Sequence, residues 1–219
     1  MRFKGIIFDL DGTLIDSMKV WENVDRDFVV ENGGVYTPDI SDAVKTMTIH
    51  QSARYFKDRF SLEMSCNEIT DIIEAMVSEK YNNSIPLKKG VFDTLSKLSQ
   101  MGIKMCVATA TYNSLVNASL KRLGVYDMFE FILTCSDVGA GKDSPDIFYQ
   151  SAKKMGLGIS ETVIVEDSLH CIETAKKAGF FTVGVYDEFA ETDKDKIINL
   201  SDVYITEINK LTDIFYDEV

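Results

Sequence analysis

Five short apolar runs recur along the chain, at residues 3–8, 103–108, 131–134, 162–165 and 181–185, and the first stops on Asp9. Each is continuous rather than alternating, which predicts strands covered on both faces. Helical spacing fills most of the intervals. Val91, Leu95 and Leu98 share one face, as do Leu115, Ala118 and Leu123 approximately. Ile147, Ala152 and Met155 define another helix, and Ile172, Ala175 and Ala178 the next. This alternation predicts an α/β fold with a doubly wound parallel sheet. Residues 202–206 suit a final edge strand, with a short helix after it through Ile214. The charged stretch 188–196 reads as surface loop.

Residues 16–85 break this rhythm. Val20, Trp21, Val24, Phe28 and Val29 fit an amphipathic helix that Gly33-Gly34 would stop. Ala53, Phe56 and Phe60 fit a second. Ile69, Ile72, Ile73, Met76, Val77 and Tyr81 mark a third, opened by Ser65 and Glu68 at capping-box spacing. No strand pattern interrupts them, and Pro86 is a natural point of return. The expected organisation is an α/β core of residues 1–15 and 86–219 carrying a small all-helical domain of residues 16–85.

Composition narrows the class. The 219 residues, 45% hydrophobic and 26% charged, suit a folded soluble chain. No apolar run is long enough to span a bilayer and no signal-peptide pattern is present, so a cytoplasmic location is expected. Cys66, Cys106, Cys135 and Cys171 form no C-x-x-C pair, which favours small buried thiols over disulfides or a zinc site. A net charge of -12 argues against nucleic-acid binding and against docking on an anionic membrane. It also repels phosphorylated ligands, so any phosphate site must be built from local positive groups, a metal ion among them.

The residues able to carry chemistry close the strands. Asp9 and Asp11 stand two apart at the end of the first, where parallel α/β sheets bind ligands. Gly12 permits a tight departure and Thr13 can hydrogen-bond the turn. A bound Mg²⁺ would relieve the repulsion between such close carboxylates. An aspartate-rich turn is the plain alternative, and an EF-hand does not fit the spacing. Thr109 follows the second strand, where a hydroxyl and a backbone N–H could meet a phosphoryl oxygen, or merely cap a turn. Lys142 could neutralise a phosphate and its nucleophile together, or be an ordinary solvated lysine before a helix. Its Gly139-Ala140-Gly141-Lys142 context lacks the glycine spacing and the following Ser or Thr of a P-loop. Glu166-Asp167 end the fourth run, where adjacent acids are costly unless a cation meets them, the plain alternative being a helix N-cap by Asp167 or Ser168.

The order of these elements resembles the haloacid dehalogenase-like hydrolase superfamily, in its branch with a helical cap inserted after the first strand. Asp9-Leu10-Asp11-Gly12-Thr13 and the stretch Glu166-Asp167-Ser168 followed by Ala175 and Ala178-Gly179 carry the likeness across essentially the whole chain. The resemblance implies that Asp9 is a nucleophile and Asp11 a general acid/base. It places Thr109, Ala110 and Lys142 on the transferring phosphoryl group. Mg²⁺ would be held by Asp9, the Asp11 carbonyl and Asp167, with Glu166 assisting. The implied activity is a Mg²⁺-dependent phosphatase acting on a small phosphorylated metabolite, such as a sugar phosphate, through an aspartyl-phosphate. A monomer or weak dimer is expected, under a cap that opens and closes.

Departures from the family pattern bear on the alternatives. Asp143 replaces a proline common after the motif lysine, and Cys171, beside His170, stands where glycine is usual. β-Phosphoglucomutases of the family carry a histidine twelve residues after the nucleophile, where this chain has Trp21. They also carry a cap motif with glycine and arginine, where Val44, Thr46 and Ile49 align. Hydrolysis is therefore favoured over mutase chemistry. A phosphonatase would need a cap lysine, for which Lys45 and Lys57 are the candidates. Arg54 and Lys57 could reach a substrate from the cap or sit on an exposed face. His50 and His170 are expected to pack or face solvent.

Overall fold

The computed structural model describes residues 2–44 and 47–216. Six parallel strands form one sheet in the order β3-β2-β1-β4-β5-β6. They are β1 (Gly5–Phe8), β2 (Lys104–Thr109), β3 (Phe131–Thr134), β4 (Thr162–Glu166), β5 (Phe181–Val185) and β6 (Val203–Ile205). All six fall on the expected runs, with ends shifted by one or two residues. Ile6 and Phe8 enter the main core, whereas Ile7 packs with Ile147, Phe148 and Ala152 on the opposite face. Burial on both faces is why these strands read as unbroken apolar runs.

Four helices lie between β1 and β2 before the core helix α5 (Val91–Gln100): α1 (Met18–Glu31), α2 (Pro38–Val44), α3 (Ile49–Phe60) and α4 (Cys66–Asn83). The described part of this segment contains no strand. Ser65 and Glu68 form the expected reciprocal cap at α4, and Thr48 with Gln51 forms another at α3. The helix α2 was not expected. Its only buried side chains are Ile40 and Val44, too few for a visible period, and Pro38 at its start is the sole sequence signal.

The two crossings between core and helices run side by side. Asp16 N–H donates to the Pro86 carbonyl at 3.0 Å and Lys88 N–H to the Leu14 carbonyl at 2.9 Å, flanking an antiparallel bridge between Ile15 and Leu87.

The remaining elements are α6 (Asn113–Arg122), α7 (Cys135–Val138), α8 (Asp146–Met155), α9 (Leu169–Lys177), α10 (Lys194–Leu200) and α11 (Asp213–Tyr216). Two expectations need correction. The buried face of α6 is Leu115, Val116, Ser119 and Leu120, not Leu115, Ala118 and Leu123. Ser119 can be buried because its hydroxyl donates to the Val116 carbonyl. Residues 188–196 are helical, with a 3-10 segment Glu188–Asp193 leading into α10. Asp187 caps that turn by accepting the Phe189 N–H at 3.0 Å, and Ala190 anchors it against Ile172 and Ile197. Among the described residues no helix is long and apolar enough to cross a membrane. The four cysteines are free thiols, and Cys106, Cys135 and Cys171 are buried as expected, whereas Cys66 is half-buried.

Candidate active site

Strand register brings the site together. Phe8 pairs with Val107 on one side and Val165 on the other, and Asp9 N–H donates to the Val165 carbonyl at 3.0 Å. Asp9 therefore lies level with Glu166, and Thr109 stands one residue beyond. All three occupy the carboxyl edge where strand order reverses, the usual ligand position in such sheets. A cavity of about 480 Å³ opens above them, lined by Asp9, Asp11, Thr109, Ala110, Lys142 and Glu166 from the core side. Trp21, Asp25, Ser41, Thr48 and Ser52 line it from the helices.

Asp9, Glu166 and Asp167 are buried, and one oxygen from each lies within 4.8 Å of the others. Lys142, also buried, donates to Asp9 Oδ1 and to Glu166 Oε1, the latter at 2.6 Å. Burial, followed by repulsion from Glu166, pushes the Asp9 carboxyl well above its ordinary pKa; Lys142 opposes this. Burial and Glu166 also raise Asp167, to about 7. Burial alone would lower the Lys142 ammonium, but Asp9 and Glu166 outweigh it, and it stays charged. Three acids around one ammonium leave a deficit of positive charge. A hard divalent cation with oxygen ligands fits this donor set.

Three details pin the acidic loop. Gly12 has φ +81°, and a Cβ there would meet Asp167 Oδ2 at 2.5 Å, so both its conformation and its space require glycine. Thr13, expected to bond within its own turn, instead donates to Asp167 Oδ1 at 3.0 Å across 154 residues. Lys88, which no motif indicated, donates to the Gly12 carbonyl and to Asp187 Oδ2, the latter at 2.8 Å.

Asp11 has different surroundings. Its carboxylate lies outside the three-acid cluster and accepts hydrogen bonds from Ser17, Tyr81 and Thr111. Thr109 Oγ1 accepts the Thr111 N–H at 3.0 Å, so the turn role and a free hydroxyl proton coexist in one side chain. His170 was expected to pack or face solvent, yet it lines the cavity, with Nε2 at 3.1 Å from Cys171 Sγ. Arg54 and His50 are exposed and do not line the cavity; Lys57 donates to the Leu62 and Met64 carbonyls at the end of α3. Lys45 and Thr46 lie outside the described residues.

Asp25, on the same face of α1 as Trp21, is a further cavity acid, and burial raises its pKa to about 7. Because the folded value exceeds the unfolded one, the folded state binds more protons between about pH 4 and 7, and stability falls as pH rises through that window. Asp25→Asn removes this penalty. In thermal melts the variant is expected to exceed the native protein by about 1–3 kcal/mol at pH 8, with the gap closing near pH 4. An equal gap at both pH values would contradict the assignment.

Residues 6–185 match the haloacid dehalogenase-like hydrolase family, and the chain belongs to it. It is 29% identical to hexitol phosphatase A of Escherichia coli over 191 residues, covering 84% of each chain. It is 28% identical to glyceraldehyde 3-phosphate phosphatase of Methanocaldococcus jannaschii over 222 residues, covering 96% of each. Its fold is similar to that of CbbY from Rhodobacter sphaeroides in complex with xylulose 1,5-bisphosphate. The TM-score is 0.84 at 20% identity, covering 95% of this chain and 96% of that one. The family expected from the motifs is thereby met.

Proposed function

We propose that this hydrolase cleaves a small phosphomonoester, with Asp9 as nucleophile and Asp11 as general acid and base. The observation that carries this reading is the separation of two carboxylates only two residues apart. Asp9 shares a buried acidic cluster with Lys142, whereas Asp11 is held by hydroxyl donors at the cavity. Two environments give two roles. An Asp9 oxygen bonds to phosphorus as the ester P–O bond breaks, and Asp11 gives its proton to the departing oxygen. Asp11 then takes a proton from water as that water attacks phosphorus and frees Asp9. Lys142 balances charge beside Asp9, and the Thr109 hydroxyl with the Ala110 segment faces the phosphoryl oxygens. Asp9, Glu166 and Asp167 would hold Mg²⁺, with the Asp11 carbonyl as the family resemblance implies; when bound, the ion supplies positive charge for the phosphoryl oxygens.

Residues 16–85 act in this reading as a cap over a core of residues 1–15 and 86–219, in a cytoplasmic monomer or weak dimer. Mutase chemistry is disfavoured because Trp21 stands where the histidine would be. Its indole is a donor only, already committed to Tyr81. Val44 and Ile49 are buried and apolar.

The test is a phosphate-release screen with Mg²⁺ over sugar phosphates, polyol phosphates, phosphoglycolate and nucleotides. Release from at least one ester, lost on chelation and regained with Mg²⁺, is expected. Formation of glucose 6-phosphate from the 1-phosphate would replace hydrolysis by mutase activity.

A further inference from the structure

Asp11 is held from the helical segment as well as from the core. Ser17 Oγ and Tyr81 Oη both donate to Oδ1, the former at 2.5 Å, and Thr111 Oγ1 donates to Oδ2 at 2.7 Å. Trp21 Nε1 donates to Tyr81 Oη at 2.6 Å, with the rings edge to face at 5.9 Å. Ser17 immediately precedes α1, Trp21 lies in the first turn of α1, and Tyr81 lies in the last turn of α4.

A buried phenol needs a partner, so satisfaction of Tyr81 alone would be unremarkable. Two features go further. Ser17 occupies the position where serine usually accepts a backbone N–H and steadies a helix start. Here it makes no such bond and gives its hydroxyl to Asp11. Trp21 lines the cavity while also orienting Tyr81. One side chain thus touches both the space for a leaving group and the phenol that holds the acid.

We propose that Tyr81, oriented by Trp21, is a positioning residue that fixes the Asp11 carboxyl so that Oδ2 carries the proton delivered to the leaving alcohol. The inference rests on reading Asp11 as the general acid. Two donors fill Oδ1, whereas Oδ2 has the Thr111 hydroxyl as its one donor and keeps its other lone pair for the proton that passes to the leaving alcohol. The Tyr81 hydroxyl accepts from Trp21 and donates to Asp11, so its single proton is committed to the carboxyl. The cap helices thereby set the direction of proton delivery from outside the core.

The test compares kcat/KM for phenyl phosphate, whose leaving group needs a proton, with that for p-nitrophenyl phosphate, whose leaving group needs little help. Asp11→Asn is expected to depress the phenyl ester far more than the nitrophenyl ester. Tyr81→Phe is expected to depress the phenyl-to-nitrophenyl ratio about tenfold, and Trp21→Phe about threefold, each a part of the roughly 10²–10⁴-fold that a general acid supplies. A merely structural role lowers both esters by one factor and leaves the ratio unmoved. Thermal melts verify folding; if Tyr81→Phe does not fold, Trp21→Phe carries the comparison, because it leaves Tyr81 in place and removes the indole N–H that orients it, keeping an aromatic ring of smaller size. An unmoved ratio in the folded variants, alongside a shifted ratio in Asp11→Asn, overturns the role of Tyr81. An unmoved ratio in Asp11→Asn overturns the general-acid role of Asp11 on which the inference rests, and no release from either ester and from every ester of the screen overturns the hydrolytic reading.

Discussion

Asp9→Asn is expected to lower phosphate release at least about 10⁴-fold, because an amide cannot serve as the nucleophile and no neighbour can replace it. Glu166 lies level with Asp9 but its Oε1 accepts from Lys142, and the Asp11 carboxylate is held by three hydroxyls outside the three-acid cluster. The fold should survive. Burial and repulsion by Glu166 already strain the ionised Asp9 carboxyl, so a neutral, near-isosteric side chain removes a cost. In buffer containing a chelator the variant should melt no lower than the native protein. Phosphate release and thermal melts together check this: more than about one hundredth of native turnover, outside the expected range of loss, would remove Asp9 from its role.

Lys142→Met carries the second largest expected effect, on stability as well as on turnover. The ammonium bonds Asp9 and Glu166 in a buried setting, so its removal leaves neighbouring acids without a counter-charge. Breaking a buried ion pair from one side costs about 3–5 kcal/mol. Saturating Mg²⁺ should return part of that loss, since Asp9, Glu166 and Asp167 present oxygens to a shared point. Mild acid should do the same by protonating the cluster. Denaturant titrations with chelator, with Mg²⁺ and at pH 5 separate these effects. Equal stability of variant and native protein in chelator at neutral pH would contradict the charge balance drawn above.

How much of this was legible from the sequence depends on the reach of each contact. The strands were readable because both faces of the sheet are covered, so Ile6 and Ile7 are apolar alike. Asp9, Thr109 and Glu166 were readable because a polar residue that ends such a run has few other reasons to be there. The helix α2 was hidden by its brevity, and the turn at 188–193 by its charge. Longer reach defeated local reasoning altogether. Tyr81 and Thr111 meet Asp11 from 70 and 100 residues away, and no spacing rule spans such gaps. Asp25 looked like an ordinary polar position on α1 until the cavity placed it. Family resemblance put Lys142 and Asp9 on one phosphoryl group although 133 residues separate them, which periodicity could not.

The paired crossings at Ile15 and Leu87 have a mechanical consequence. Two unconnected tethers would leave the helical unit free to twist, slide and tip. A ribbon laced by the Asp16–Pro86 and Lys88–Leu14 bonds resists the first two and yields to bending alone. The proposed cap then has one soft coordinate instead of three. Ser17 lies just past one end of that coordinate and Tyr81 just before the other, so the angle of the ribbon and the grip on Asp11 vary together as a single quantity.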